Sequence, residues 1–173
     1  YRRQRQMCIR DRSTYRVNTF RTPDFGVLGQ VDGDQVVIYR HPVRKHTLDT
    51  VFDVAGLKVL PRVDIAYAYA GADDVAIQAY IAAGARGLVS AGLPPGIPPP
   101  LQSAAFERAV SKGVVVVQAS RGGAGRVARR KYLRDQQIVA SDNLNAQKCR
   151  ILLMLALTVT QDPEVVQSYF DLY

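Results

Sequence analysis

Four consecutive valines at residues 114–117 limit what this chain can fold into more than any other feature. β-Branched side chains favour strand, and a strand that is apolar on both faces belongs inside a sheet covered on both sides. The surrounding sequence agrees. Short apolar runs at residues 63–69, 87–90, 114–117 and 137–140 alternate with helical patterns. That alternation is the mark of an α/β fold with a mostly parallel sheet flanked by helices.

The helices announce their ends. Asp73 is placed to cap a helix over residues 74–83 that stops at Gly84, and residues 101–111 predict a second that stops near Gly113. Asn143 is the expected N-cap of a longer helix over residues 145–158, where Cys149, Leu152, Leu153, Ala156 and Leu157 recur at helical spacing. Asp162-Pro163 opens a last helix with an apolar stripe of Val166, Tyr169, Phe170 and Tyr173. Between the second strand and second helix, residues 93–100 hold five prolines in eight positions and predict a stiff loop. Ahead of the alternation, residues 26–40 predict a β-hairpin turning at Asp32-Gly33 in type I′ geometry, followed by the polar loop HPVRKHTLDT.

The formal charge of +8 suggests a polyanionic partner until its distribution is considered. Half of it comes from residues 1–13, YRRQRQMCIRDRS, with five arginines against Asp11. This segment has no strand or helix period and no signal-peptide apolar region. Its string QRQMCIRDR resembles translated sequencing-adapter read-through, so residues 1–13 are expected to be a non-native tail. No apolar run approaches the roughly 18 residues of a membrane span. Neither a membrane nor a nucleic acid is an expected partner. Cys8 lies in the tail and Cys149 on a predicted helix, so no internal disulfide is expected, and Cys149 reads as a buried hydrophobe.

Three motifs invite functional readings. Gly123-Ala-Gly125-Arg-Val-Ala128 follows the valine strand like a dinucleotide fingerprint, but Gln118 to Gly122 separate it from the strand's end. Arg121, Arg126, Arg129, Arg130, Lys131 and Arg134 form a basic segment with only Tyr132 as a stacking surface, which reads as a solvated loop or the rim of an anionic-ligand site. His41 and His46 flank Arg44 and Lys45 in a loop that Pro42 keeps from being helix, so a metal site is not expected there. The residues alone give an α/β domain without a nucleophile and its base.

Several ordered segments resemble the C-terminal half of the bacterial asparaginase/glutaminase family. They are NTFRTPDFGVLG at residues 18–29, RKHTLDTVFD at 44–53, Ser120-Arg121 after the valine strand, VASDNLNAQK at 139–148 leading into ILLMLALT, and DPEVVQSYFDLY at 162–173. The resemblance runs from about residue 14 to residue 173. It implies three regions: the tail 1–13; residues 14–60 as the end of an N-terminal domain, a hairpin and a linker; and residues 61–173 as the C-terminal α/β domain.

The resemblance also implies a homotetrameric enzyme that hydrolyses L-asparagine to L-aspartate and ammonia without a metal or organic cofactor. In the family a threonine of the N-terminal domain attacks the amide carbon, helped by a second threonine, an aspartate and a lysine; no segment matching these threonines or the aspartate is present, and Asp11 or its neighbours stand where the lysine falls. The chain is therefore expected to be a catalytically inert fragment, with no catalytic residue of its own. Two substrate-binding positions carry over, both on the rim of a neighbouring subunit's site and both departing from the pattern. Gly71 stands where an asparagine is common, and Arg130 near a glutamate that holds the substrate's ammonium group. The rival expectations are a glutaminase-asparaginase or related amidotransferase subunit, and a non-enzymatic α/β ligand-binding domain. A periplasmic or secreted location is the expectation for the type that the segments resemble.

Overall fold

In this computed structural model the described residues are 26–173; the tail 1–13 and the family-like residues 18–25 lie outside them. The chain divides into two compact units, with the boundary between Thr47 and Leu48.

In the first unit, strands β1 (Gly29–Asp32) and β2 (Gln35–Ile38) pair antiparallel, with Asp32 opposite Gln35. The hairpin is where the sequence puts it, but its two turn residues are Gly33 and Asp34 rather than Asp32 and Gly33. Only Gly33 has positive φ, at 61°. That sign pattern belongs to a type II′ turn, not to type I′. Glycine is needed at the first central position because a Cβ there disfavours left-handed backbone.

The second unit is built on β3 (Val63–Tyr67), β4 (Gly87–Gly92), β5 (Val115–Ser120) and β6 (Val139–Ala140), hydrogen-bonded in that order and all parallel. Helices α1 (Val75–Ala82), α2 (Pro100–Ser111) and α3 (Lys131–Asp135) fill the three crossovers. Because strand order follows chain order, crossovers of one hand place all three helices on one face of the sheet. The chain then turns over β6, and α4 (Ala146–Ala156) and α5 (Pro163–Leu172) cover the other.

The valine run explains itself in this arrangement. Val115 and Val117 point into a core with Cys149, Leu153, Val166 and Phe170, while Val114 and Val116 point into the opposite core with Ile77, Leu88, Phe106 and Leu133. Both faces of β5 are buried, as a central strand requires.

Several boundaries shift. α2 starts at Pro100, where a missing N–H costs no helical bond. α1 begins at Val75, whose N–H donates to Asp73 Oδ1 at 3.2 Å. α4 is capped by Asn145, not Asn143: its side chain accepts from the Lys148 N–H at 3.0 Å. Asp162 caps α5 as expected, accepting from Glu164 N–H at 2.8 Å. Helix α3 lies within the segment read as a basic loop; Leu133, fully buried, holds it to the sheet.

The open edge of the sheet at β6 is finished by a side chain. Gln167 on α5 is 2% exposed. Its Oε1 accepts from Ala140 N at 2.8 Å, and its Nε2 donates to Ala140 O at 3.2 Å and to Asp171 Oδ1 at 3.0 Å. An amide thereby stands in for the missing next strand.

Candidate functional site

Open parallel sheets carry their ligands at the carboxyl ends of the strands, where backbone leaves the ladder and loops converge. Here those loops are the turn after β3 with Gly71, the proline-rich loop after β4, the basic segment after β5 and the turn after β6. Two of them are closely packed together. Leu93 and Ile97 pair as an antiparallel bridge, folding the loop back over the end of β4, and a Cβ on Gly96 would lie 2.9 Å from Val127 Cγ2. Val127 in turn donates its N–H to Asp142 O at 2.9 Å.

Beneath these loops, on the face covered by α2 and α3, is a cavity of about 210 Å³. Phe106, Val116, Val127 and Ile138 are among its apolar walls; Ser90, Gln118, Tyr132, Gln136, Arg126 and Arg130 are among its polar ones. Gln118 is 5% exposed, and its Nε2 donates to the Tyr132 hydroxyl at 2.9 Å. Tyr132 thus serves as a hydrogen-bond partner of the sheet.

The basic segment is largely engaged with the protein itself. Arg121 donates to Ala68 O at 2.7 Å and lies 5.7 Å from the centre of the Tyr67 ring. Arg126 pairs with Asp142, a hydrogen bond that pushes the guanidinium pKa further up. Arg129 pairs with Glu164, Lys131 pairs with Asp135 at 2.7 Å, and Arg134 donates to Arg129 O at 3.1 Å. Arg130 makes no ion pair or hydrogen bond through its side chain among the described residues.

The two carried-over rim positions are not brought into one cavity. Arg130 lines the cavity and precedes α3, whereas Gly71 sits in the turn after β3 with φ of 78° and open space where a side chain would be. The glycine motif opens no helix: between Ser120 and α3 the chain is loop, so Gly123 and Gly125 present no helix N-terminus to a pyrophosphate. His46 Nδ1 lies 3.3 Å from Thr47 Oγ1, and among the described residues no three His, Cys, Asp or Glu side chains gather as metal ligands. Cys149 is fully buried and its Sγ donates to Leu144 O; burial pushes the thiol pKa up to about 12, so it stays protonated. No described helix is long and apolar enough to cross a membrane.

Sequence reading passed over Ser90 and Gln118. Each is a polar residue interrupting an apolar strand, a signal visible in the letters, but their adjacency depends on the register between β4 and β5.

A parallel sheet covered on both faces, with a cavity under the loops at its carboxyl edge, defines an α/β domain of the kind that carries its site at that edge. The Glutaminase/Asparaginase C-terminal domain profile matches residues 62–170, and the chain belongs to that family. It is 42% identical over 161 residues to a probable periplasmic L-asparaginase of Haemophilus influenzae, a match covering 92% of this chain and 46% of that protein. L-asparaginase 2 of Escherichia coli is 40% identical over 166 residues, covering 93% of this chain and 47% of the relative. A glutaminase-asparaginase of Pseudomonas fluorescens is 36% identical over 159 residues, covering 90% and 43%. The crystal structure of a probable cytoplasmic L-asparaginase from Campylobacter jejuni superposes with a TM-score of 0.83 at 39% identity, over 87% of this chain and 50% of that one. The chain spans about half the length of the curated relatives it matches.

Proposed function

We propose that this chain contributes the C-terminal domain, residues 61–173, of an asparaginase-type amidohydrolase that converts L-asparagine to L-aspartate and ammonia. What carries the reading is the family match over residues 62–170 together with relatives named as L-asparaginases. The nucleophile belongs to a preceding domain; the tail 1–13 is non-native, and residues 14–60 join the two domains. The assembled enzyme is a homotetramer. Gly71 and Arg130 lie on the rim of a neighbouring subunit's substrate site, where the unpaired Arg130 is available to an anion. A periplasmic or secreted location is supported by the name of the Haemophilus influenzae relative. A glutaminase-asparaginase is the second reading, favoured by the Pseudomonas fluorescens relative.

Within this chain the chemistry is limited to binding and positioning. Its buried cysteine is held as an unreactive thiol. The purified chain is therefore expected to release no ammonia from L-asparagine or L-glutamine. Replacing residues 1–13 by the N-terminal portion of the Haemophilus influenzae relative that this chain does not cover is expected to give a tetramer that releases ammonia from L-asparagine. Ammonia from the unaltered chain, abolished by a substitution within it, would show that the nucleophile is misplaced. A folded, tetrameric but inactive chimera would remove the amidohydrolase reading.

A further inference from the structure

On the face of the sheet toward α1, α2 and α3, one row sets two buried polar side chains side by side. Strand register aligns Ala66 with Ser90, Ser90 with Gln118 and Gln118 with Ala140. Side chains two residues apart share a face, so Ser90 and Gln118 lie on the side of Leu88 and Val116, which pack into the core beneath α1 and α2. The row is small at both ends and polar in the middle, and the cavity lies over that middle.

The two polar groups differ in one respect. Gln118 has the Tyr132 hydroxyl as partner. Ser90 is 1% exposed, and its Oγ is without a hydrogen-bond partner among the described residues. A buried hydroxyl with no partner is unfavourable to the fold. Arg130 also lines the cavity, and it is the one cation of the basic segment whose side chain makes neither an ion pair nor a hydrogen bond among the described residues.

We infer that this cavity binds a small organic monoanion whose carboxylate meets Arg130 and whose neutral hydrogen-bonding group reaches Ser90. A single unpaired guanidinium suits one planar carboxylate, which it can hold through two parallel N–H donors. The apolar walls suit a short carbon chain between the two polar ends. At about 210 Å³ the space is below the usual range for drug-sized ligands, so the occupant is of amino-acid size. The inference rests on the geometry of this domain and not on the amidohydrolase reading.

The test uses the whole 173-residue chain and succinamate, which carries a carboxylate and an amide on a two-carbon link, followed by amide and side-chain NMR. Saturable shifts at Ser90, Gln118, Tyr132 and Arg130 are expected. Butyrate, lacking the amide, binds more weakly, and butyramide, lacking the charge, does not saturate. Arg130→Gln raises the Kd about tenfold. Ser90→Ala separates a ligand role from a structural one: the ligand-free protein keeps or gains thermal stability, because an unpartnered hydroxyl is removed, while affinity for succinamate falls about fivefold. A drop in ligand-free stability would reveal a structural role for Ser90 and overturn the inference. So would shifts confined to exposed arginines and erased by salt, or no saturable shift at all.

Discussion

Gln167→Leu is expected to weaken the second unit sharply, although the substitution hardly changes the volume of the side chain. The wild-type amide satisfies both polar groups of Ala140 on the side facing away from β5, at 2.8 and 3.2 Å. Both Gln167 and Ala140 are buried, at 2% and 1% exposure, so water does not readily replace the lost partner. Leaving a buried donor or acceptor unpaired costs about 1–3 kcal/mol each, and leucine leaves two. Partial relaxation at a two-residue edge strand brings the expected loss to about 3 kcal/mol. For a unit the size of Leu48–Tyr173 that corresponds to a fall in Tm of about 10 °C. Urea denaturation followed by circular dichroism measures the loss, and hydrogen exchange at the Ala140 amide reports whether the damage is local. Gln167→Glu sharpens the test. It keeps an acceptor for Ala140 N–H but turns a carboxylate toward Ala140 O and Asp171, so its stability rises as acid protonates the new group. Stability of Gln167→Leu within about 0.5 kcal/mol of wild type would refute the reasoning.

Three further outcomes follow from single contacts. Asn145→Ala removes the acceptor for the Lys148 N–H and is expected to cost about 1 kcal/mol by urea denaturation, whereas Asn143→Ala costs almost nothing. Gly92→Ala places a Cβ 2.1 Å from Gly96 O, so the loop must open; a loss of roughly 1–3 kcal/mol and altered NMR shifts at Ile97 are expected. In a Cys8→Ser background, Cys149 resists thiol reagents until the protein unfolds. Its thiol pKa rises from an ordinary 9.0 to about 12 on folding, so both states are protonated below pH 9. Above pH 9 only the unfolded chain ionises, and this group removes stability as pH climbs toward 12, by at most about 1.4 kcal/mol per pH unit. Cys149→Ala should lack that component in a comparison of pH-dependent stability.

Much of the architecture was legible because it is written in local period. The valine run, the apolar strands spaced by helical patterns and the Asp162-Pro163 helix start are all decided within about a dozen residues. The errors arise where two adjacent choices are locally equivalent. Asp142-Asn-Leu-Asn145 offers two asparagines as caps, and the one used is set by the turn that Asp142 makes with φ of 53° while its carbonyl holds Val127. The hairpin likewise had Asp-Gly and Gly-Asp side by side, and strand pairing between Asp32 and Gln35 chose the second. Helix α3 was missed because four of its five residues are polar or aromatic and only Leu133 is buried. Less of the candidate site was legible. Arg130 stood out as part of a basic cluster, but that its side chain alone in that cluster lacked a partner among the described residues depended on carboxylates as distant in sequence as Glu164. Ser90 and Gln118 looked like interruptions of apolar strands until register made them neighbours, and Gln167 looked like an ordinary helix residue.

The basic segment shows why charge count and charge role diverge. Ion pairs as exposed as Arg126–Asp142 and Lys131–Asp135 contribute little stability, up to about 1 kcal/mol each, so their effect is mainly on position. Arg126 ties the segment to the end of β6, Arg129 ties it to the first turn of α5, and Arg121 ties its start to the end of β3. These contacts hold the stretch from Arg121 to Arg134 across the carboxyl edge of the sheet, where Val127 packs toward Gly96 and lines the cavity with Arg126 and Arg130. A polyanion would have to compete with carboxylates already in contact with Arg126, Arg129 and Lys131, and would gain little counterion release from cations already neutralised. A small carboxylate at Arg130 displaces none of them. The same sequence feature that raises the net charge therefore favours a small anion over a long one, and the preference comes from the placement of Asp135, Asp142 and Glu164 rather than from the arginines themselves.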